Sequence, residues 1–210
     1  MIEQLVGLLE ESRRRGFLGP GPVEFHLDHA RAFAVPGDGV APARALDLGA
    51  GGGLPGLVLA ATVWPETHWT FVDAQLRRTA FLEDAVDELG LADRVEVVFD
   101  RAEEVGRDPE RRGTYDLVVA RSFGAPCVVA ECGAPLLVPG GRLLVSEPPH
   151  VDIETRWPSA GVALVGLGPA RSCQVDTPSG PVHLAELQLV GAVEARYPRR
   201  VGIPAKRPLF

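Results

Sequence analysis

An apolar strand that runs directly into a glycine-rich turn dominates the first half of the chain. Residues 45–56 read Ala-Leu-Asp-Leu-Gly-Ala-Gly-Gly-Gly-Leu-Pro-Gly, with Asp47 inside the strand. Glycines at such a turn let the backbone come close to a ligand, and an acid beside them can contact a polar ligand group. The pattern therefore predicts a site for a cofactor that carries a nucleoside.

Strand and helix patterns alternate after this turn, as in a parallel sheet covered by helices on both faces. Strands are predicted at residues 44–49, 69–73, 95–99, 115–120 and 142–146. Helices are predicted between them at 54–63, 76–89 and 128–137. Beyond residue 150, strand-like runs at 162–167 and 182–190 flank a Thr-Pro-Ser-Gly-Pro turn, which predicts a closing antiparallel hairpin.

The residues before the glycine turn are predicted to be helical and to lie outside this alternation. Ile2, Leu5 and Leu9 recur at helical spacing, and a Gly- and Pro-rich break at 16–22 precedes a second helical run to Ala34. We expect these residues to cover the cofactor side of the sheet.

Length and composition favour a single structural domain. The chain has 210 residues, and a hydrophobic content of 46% is enough for a sizeable core. Within it we predict a helical cap at 1–40, a cofactor-binding domain at 41–195 and a basic, Pro-rich tail at 196–210. No run has the length of a membrane span and the first residues lack a signal pattern, so we expect a cytoplasmic protein without membrane contact.

Charge and metal-ligand patterns narrow the possible partners. With 28 acidic and 21 basic residues, the formal net charge of −7 argues against indiscriminate binding of nucleic acid. The three cysteines form no Cys-x-x-Cys pair and are interpreted as reduced thiols. His26 and His29 are predicted to share a helix face, but no further ligand set accompanies them. We therefore predict no metal site.

The tail concentrates positive charge at one end of the chain. Residues 196–210 carry five basic residues and no acid. Pro204 and Pro208 predict an extended conformation rather than a regular helix. Interleaved apolar residues, among them Tyr197 and Phe210, indicate that the tail packs back on the body and presents its charges.

The glycine turn fits two kinds of cofactor, and its details favour one. Residues 51–56 satisfy G-x-G-x-x-G, and Asp73 follows at the distance that a dinucleotide fold requires. However, Pro55 has no amide hydrogen to offer a pyrophosphate, and the acid at Asp47 suits an amine or sulfonium better than a dianion. The Asp-x-Gly-x-Gly-x-Gly register, which runs from Asp47 through Gly49 and Gly51 to Gly53, thus favours S-adenosylmethionine over NAD.

Several motifs together resemble one enzyme family. They are the Leu-Asp-Leu-Gly-Ala-Gly-Gly-Gly-Leu-Pro-Gly turn, Arg-Ala-Glu-Glu at 101–104, Val-Ala-Arg-Ser-Phe at 119–123, and a tail that begins Tyr-Pro-Arg-Arg at 197–200. The general pattern is similar to class I S-adenosylmethionine-dependent methyltransferases. The Gly-Leu-Pro-Gly ending and the tail resemble the bacterial small-subunit rRNA guanine-N7 methyltransferases, also called glucose-inhibited division protein B.

The resemblance implies a fold, a partner and a set of site residues. The fold is an α/β, Rossmann-like, doubly wound sheet of seven strands, and the partner is ribosomal RNA or the small ribosomal subunit. The cofactor-binding residues that the motif and the resemblance indicate are Asp47, Gly49, Gly51, Gly53, Leu54, Asp73, Ala102, Glu103 and Arg121. In the family pattern Gly49 and Leu54 border the methionine, Asp73 the ribose hydroxyls, and Ala102 and Glu103 the adenine.

The expected chemistry needs little acid–base assistance. Guanine N7 carries an in-plane lone pair and no proton, so its attack on a sulfonium methyl group requires no general base. We expect catalysis by alignment, with Arg121 as the candidate that contacts the guanine O6 edge or a phosphate. Arg199, Arg200 and Lys206 are the predicted phosphate contacts.

One departure from the family keeps other acceptors open. After the fifth strand the rRNA enzymes tend to carry Leu-Lys-Gly, whereas residues 145–150 here read Val-Ser-Glu-Pro-Pro-His. Glu147, a candidate substrate contact, would repel phosphate and favour a cationic acceptor. The alternatives are therefore a methyltransferase that acts on another RNA or on a small molecule, and a non-catalytic module that binds S-adenosylmethionine and RNA.

Overall fold

A seven-stranded sheet with helices on both faces forms the body of the protein in a computed structural model that describes residues 1–37 and 40–210. The strands are β1 (Arg44–Leu48), β2 (His68–Asp73), β3 (Val95–Phe99), β4 (Tyr115–Ala120), β5 (Leu137–Glu147), β6 (Arg171–Thr177) and β7 (Gly180–Gln188). The helices are α1 (Ile2–Arg14), α2 (Val23–Arg31), α3 (Gly56–Thr62), α4 (Leu76–Glu88), α5 (Ala102–Val105), α6 (Pro126–Gly133), α7 (Ile153–Arg156), α8 (Ser159–Val162) and α9 (Ile203–Lys206).

The order of the strands confirms the doubly wound α/β fold. It runs β3-β2-β1-β4-β5-β7-β6, and β1 to β5 are parallel while β7 is antiparallel to both β5 and β6. The order reverses between β1 and β4, and ligands bind in the crevice beside such a reversal, at the carboxyl ends of the strands. The topology alone therefore places a site beyond Leu48 and Ala120.

Two apolar layers cover the sheet because successive side chains of a strand point to opposite faces. In β4, Leu117 and Val119 join the layer under α1 to α4, while Val118 joins the layer on the other face. Both faces of the central strands are buried, which explains why these strands read as continuous apolar runs.

The N-terminal helices form a cap on the glycine turn. Helix α1 buries Leu5, Leu9 and Ser12, and the Ser12 hydroxyl donates a 3.0 Å hydrogen bond to the carbonyl of Gly52. The predicted cap extended to residue 40, and its residues 38 and 39 lie outside the described residues. The contact to Gly52 brings α1 onto the edge of the sheet that carries the crevice.

The predicted hairpin is correct in its second strand and wrong in its first. Residues 162–165 end α8 and form a 3-10 turn, with Val162 and Val165 buried three residues apart, and Leu167 forms an isolated antiparallel bridge with Leu189. The true partner of β7 is β6, an edge strand with mostly polar residues. Val175 is the one buried residue of β6, so this strand lacks the apolar run that identifies the central strands.

Prolines shift three further boundaries. Pro55 precedes α3 as its cap residue, so the helix predicted from 54 begins at Gly56. Pro135 lacks an amide hydrogen, and the helix predicted to 137 ends at Gly133 before a 3-10 turn, after which β5 begins earlier than expected. The tail is not fully extended: Pro204 lies in the first turn of α9, where no amide hydrogen is needed.

The tail packs on the body as its apolar residues predict. Tyr197 is buried, and its carbonyl accepts a 2.6 Å hydrogen bond from the Arg112 guanidinium. At the end of the chain, the Phe210 ring lies against Gly161, where a Cβ would come within 2.5 Å of it. The last turns of the chain are therefore held near α5, α6 and α8.

Candidate active site

Two adjoining clefts lie at the carboxyl ends of the parallel strands. The larger, of about 520 Å³, is bordered by the glycine turn, the tips of β2 and β4, helix α5 and tail residues that include Pro208. The second, of about 380 Å³, lies between α2, the tip of β4, the end of β5 and α7. Both clefts are lined by Ser122, Phe123 and Gly124, so one loop after β4 separates them.

Glycines bring the backbone to the surface of the larger cleft. Gly49 lines this cleft, and both Gly49 and the nearby Gly51 have positive φ, +78° and +56°, which residues with a side chain rarely adopt. A Cβ on Gly49 would lie 2.5 Å from the Phe123 ring. The glycine turn therefore packs directly against the Phe123 ring, and a residue larger than glycine at position 49 would clash with it.

Asp47 lies beneath the turn rather than on the wall of either cleft. It is fully buried, and its Oδ2 accepts a 2.7 Å hydrogen bond from the amide of Gly56. Its Oδ1 has no hydrogen-bond partner among the described residues. Burial raises the pKa of Asp47 to about 7, and the negative Asp73 adds to this shift while the Gly56 hydrogen bond and Arg121 oppose it.

Asp73 ends β2 and faces the larger cleft. Its Oδ2 accepts a hydrogen bond from the amide of Gly51 at 3.0 Å, and its Oδ1 accepts one from the amide of Gln75 at 2.8 Å. The Arg78 guanidinium lies 3.5 Å from Oδ2. A carboxylate has about four acceptor positions, so both oxygens can still accept from a ligand's hydroxyl groups.

Glu103 joins α5 to the tail. Its carboxylate accepts a 2.9 Å hydrogen bond from the amide of Gly202 and lies 3.4 Å from Arg101. Burial acts to raise its pKa, but these hydrogen bonds outweigh burial and hold the pKa below its usual value. The contact fixes the start of α9, whose Ala205 lines the larger cleft with Glu103 itself.

Arg121 follows β4 and is held by the cap. It lines the second cleft and also a smaller one of about 190 Å³ over the glycine turn. Its Nη2 lies 3.0 Å from Nδ1 of the buried His26, whose Nε2 lies 3.2 Å from the carbonyl of Gly19. A neutral His26 that donates from Nε2 and accepts at Nδ1 satisfies both contacts, and burial lowers its pKa accordingly.

His29 lies near the same arginine. Burial, with the positive charge of Arg121, lowers the pKa of His29 to about 4. Both histidines of α2 are therefore neutral near pH 7, and His26 contacts an arginine and a carbonyl. Over residues 1–37 and 40–210, His, Cys, Asp and Glu side chains form no group of three that could hold a metal ion.

Glu147 does not present a free negative charge to the second cleft. One oxygen of its buried carboxylate accepts a 2.7 Å hydrogen bond from the indole nitrogen of Trp157, and the other pairs with Nε of Arg156. The repulsion of phosphate expected from the sequence is thus countered by the guanidinium of Arg156, nine residues further along the chain.

The three predicted phosphate contacts of the tail have different surroundings. The Arg199 side chain donates to both oxygens of the fully buried Glu131, at 2.8 and 2.7 Å, and its amide donates to the same carboxylate. Arg200 and Lys206 are exposed. Arg199 is therefore committed to the packing of the tail, and the other two cations remain open to solvent.

The predicted cofactor residues meet around the clefts in two groups. Gly49, Asp73, Ala102 and Glu103 line the larger cleft, and Gly51, Leu54 and Arg121 line the small cleft over the turn. Two predicted residues line neither cleft: Asp47 lies behind the turn, and Gly53 is part of the turn itself. Three residues with contacts at the site were not predicted from the sequence: Phe123, Arg78 and Glu131. Phe123 belongs to the Val-Ala-Arg-Ser-Phe motif, whereas no local sequence pattern marks Arg78 or Glu131.

Comparisons with known proteins identify the family of the chain. The family model described as rRNA small subunit methyltransferase G matches residues 27–161. A ribosomal RNA small subunit methyltransferase G of Synechococcus sp. is 39% identical over 80% of this chain and 70% of its own length. One of Roseiflexus castenholzii is also 39% identical, over 88% of this chain and 77% of its own length.

Solved structures with the same fold are more distant in sequence. An O-methyltransferase from Bacillus cereus in complex with SAH superposes with a TM-score of 0.63 at 15% identity, covering 89% of this chain and 90% of that one. The O-methyltransferase TomG from Streptomyces achromogenes, in complex with SAM, gives 0.59 at 20% identity, covering 88% and 90%. The fold is that of class I methyltransferases, and by the sequence matches the chain belongs to the rRNA small subunit methyltransferase G family.

Proposed function

We propose that this protein transfers the methyl group of S-adenosylmethionine to N7 of a guanine in small-subunit ribosomal RNA. One observation carries the proposal: in a chain of this family, the larger cleft with Asp73 and the second cleft with Arg121 share the loop Ser122–Phe123–Gly124. Two reactants bound in adjoining clefts can meet across that loop. Such an activity belongs in the cytoplasm, where ribosomes are assembled.

The larger cleft fits the cofactor of class I methyltransferases. Positive-φ glycines and the Phe123 ring give a close-approach surface, and a Cβ at Gly49 would fill it. Asp73 offers a carboxylate at the tip of β2, which matches two vicinal ribose hydroxyls. Ala102 and Glu103 form the wall where an adenine would lie. When bound, S-adenosylmethionine supplies an electrophilic methyl group on a sulfonium centre.

Alignment is the main catalytic contribution that this chain can make. Guanine N7 needs no proton removed, burial lowers the pKa of both His26 and His29, and His26 is engaged by Arg121 and the carbonyl of Gly19. Holding two reactants at near-attack distance can lower a barrier by roughly 7–11 kcal/mol. Arg121, fixed by His26, is placed between the small cleft over the turn and the second cleft. Its planar donors suit guanine O6 and leave N7 free to react.

The tail supports binding of the RNA. Arg200 and Lys206 are the exposed cations that we assign to phosphate contacts, whereas Arg199 is committed to Glu131. The net charge of −7 means that such contacts must be local. The cap and the tail flank the clefts, so RNA that enters from this side meets both.

Methyl transfer with three classes of acceptor tests the proposal. Purified protein is incubated with radiolabelled S-adenosylmethionine and with small ribosomal subunits, deproteinised rRNA or a metabolite extract, and the RNA is digested to nucleosides. We expect the label in 7-methylguanosine from rRNA or subunits. Label in a different nucleoside or only in the metabolite extract would overturn the assignment of the acceptor, and binding of cofactor without any transfer would favour a non-catalytic module.

A further inference from the structure

The second cleft is lined by a charged pair, Glu147 and Arg156, and part of the Arg156 side chain is exposed there. It has a volume of about 380 Å³, within the range of roughly 300–1,000 Å³ typical of sites for small ligands or single groups of larger ones. Glu147 and Arg156 line it opposite Phe25 and Arg121. The loop shared with the larger cleft places the pair close to the proposed methyl donor.

The Glu147 carboxylate is fully engaged within the chain. It is buried, and its two oxygens accept from Nε1 of Trp157 and from Nε of Arg156. A charge removed from water is stable only with such partners. Glu147 therefore serves to hold Arg156 rather than to bind a ligand.

Arg156 keeps most of its donors free. A guanidinium has five N–H groups, and only the one on Nε is used by Glu147. Within residues 1–37 and 40–210, neither terminal nitrogen of Arg156 forms a hydrogen bond, and the side chain is 36% exposed. The remaining four donors lie in a planar fork, which matches the oxygens of a phosphate.

We propose that Arg156, held by the buried carboxylate of Glu147, binds a phosphate of the acceptor nucleotide in the second cleft. The inference rests on the proposed function and names a positioning residue for it. Single-stranded RNA is commonly recognised by stacking of splayed bases on aromatic rings and by arginine contacts, and Phe25 and Phe123 supply rings in the same cleft. Glu147, the acid that follows β5 where the family tends to have a basic residue, thus holds Arg156 of α7 at the cleft. The cleft is therefore lined by two arginines, Arg121 and Arg156.

Three variants test this assignment, and one of them is a matched control. Arg156→Gln removes the phosphate contact, and Glu147→Gln removes the group that holds Arg156. Arg171→Gln is the control, because Arg171 is an exposed arginine that pairs with the buried Glu186 on the edge of the sheet and lines neither cleft. Binding of small-subunit rRNA is measured over a series of KCl concentrations. KM and kcat are measured with the acceptor that the wild type methylates, and thermal unfolding and cofactor titration check each variant.

Arg156→Gln should raise KM for the RNA about tenfold, the effect of one charge-assisted hydrogen bond, with a smaller change in kcat. Its salt slope should fall by about 0.7, the value for one single-strand phosphate. Glu147→Gln should also weaken RNA binding; if the acid instead repels RNA, this variant binds more tightly and the inference is wrong.

Other outcomes separate the two proposals. If the wild type methylates rRNA and Arg156→Gln behaves like Arg171→Gln in both KM and salt slope, this inference fails and the proposed function stands. If the wild type neither binds nor methylates rRNA, the proposed function fails and the inference fails with it.

Discussion

The amide of Gly56 donates a 2.7 Å hydrogen bond to Oδ2 of Asp47, and the two residues fit together so tightly that a Cβ at position 56 would lie 2.6 Å from that oxygen. The contact ties the end of the glycine turn to the strand that precedes it. Asp47 thus acts behind the turn, and the sequence pattern of an acid two residues before the first glycine has a structural cause.

Burial of Asp47 predicts an unusual pH dependence of stability. Its pKa is raised to about 7, whereas an unfolded chain titrates near 4. Between these values the folded protein holds a proton that the unfolded chain releases, so this residue's contribution to the free energy of unfolding falls as pH rises from 4 to 7.

Asp47→Asn should remove this contribution, since its amide does not titrate and its oxygen can still accept from Gly56. From pH 4 to pH 7 the wild type should lose a few kcal/mol of unfolding free energy relative to the variant, because each unit of difference between the folded and unfolded pKa corresponds to about 1.4 kcal/mol. Urea denaturation of both proteins at several pH values measures it. Parallel pH curves would show that the Asp47 pKa is close to normal.

The packing of the cap on the turn predicts opposite effects for two glycine substitutions. Gly52→Ala places a Cβ against the Ser12 hydroxyl and 2.6 Å from a methyl group of Leu18, so it should destabilise the protein by about 1–3 kcal/mol. Gly7→Ala, at an exposed position of α1 with no atom within 4 Å, should stabilise it by about 0.5–1 kcal/mol. Chemical denaturation compares the two, and equal effects would contradict the cap contact.

The pairing of Arg199 with Glu131 predicts a structural role for that arginine. Arg199→Met leaves the fully buried carboxylate of Glu131 without its guanidinium and with only the amide of residue 199 as a donor, and breaking a buried ion pair typically costs about 3–5 kcal/mol. The exposed neighbour provides the control: Arg200→Ala should change stability by less than about 0.5 kcal/mol. Thermal and urea unfolding of the two variants should differ clearly, and a stable Arg199→Met protein would refute the assignment.

Arg200→Ala should instead weaken the binding of small-subunit rRNA and reduce its dependence on salt. Loss of one phosphate contact lowers the slope of log binding constant against log salt by about one. Filter binding of small-subunit rRNA at increasing KCl concentrations measures this slope. A slope equal to that of the wild type would remove Arg200 from the proposed RNA-binding surface.

The central strands could be predicted from sequence because both of their faces are buried. Strand β4 begins and ends where its apolar run does. Strand β3 was predictable for another reason: it is the opposite edge strand, but its sequence is mostly apolar. The edge strand β6 could not, because its pattern is mostly polar, and the buried valines of α8 imitate a strand. The short helix α9 differs from the extended tail that Pro204 and Pro208 predict, because Pro204 lies in the first turn, where proline does not break a helix.

The site was predictable where a motif encodes the backbone and not where side chains meet across the fold. Asp73 and the glycines follow from local sequence. The contact of His26 with Arg121 spans 95 positions, and the pair of Arg199 with Glu131 spans 68. Contacts between residues so far apart in sequence depend on the sheet topology and cannot be predicted from a local sequence pattern. The neutralisation of Glu147 by Arg156 was missed for a related reason, since α7 was not foreseen.

Titration of the protein with S-adenosylmethionine tests the central claim most directly. The wild type should bind one equivalent. Asp73→Asn loses the charge and turns an NH2 group towards one of the two backbone amides that now donate to Asp73, so affinity is compared at a temperature where both proteins are folded, and the variant should bind at least about tenfold more weakly. Absence of binding to the wild type, or equal affinities for the two proteins, would contradict a cofactor site at the tip of β2.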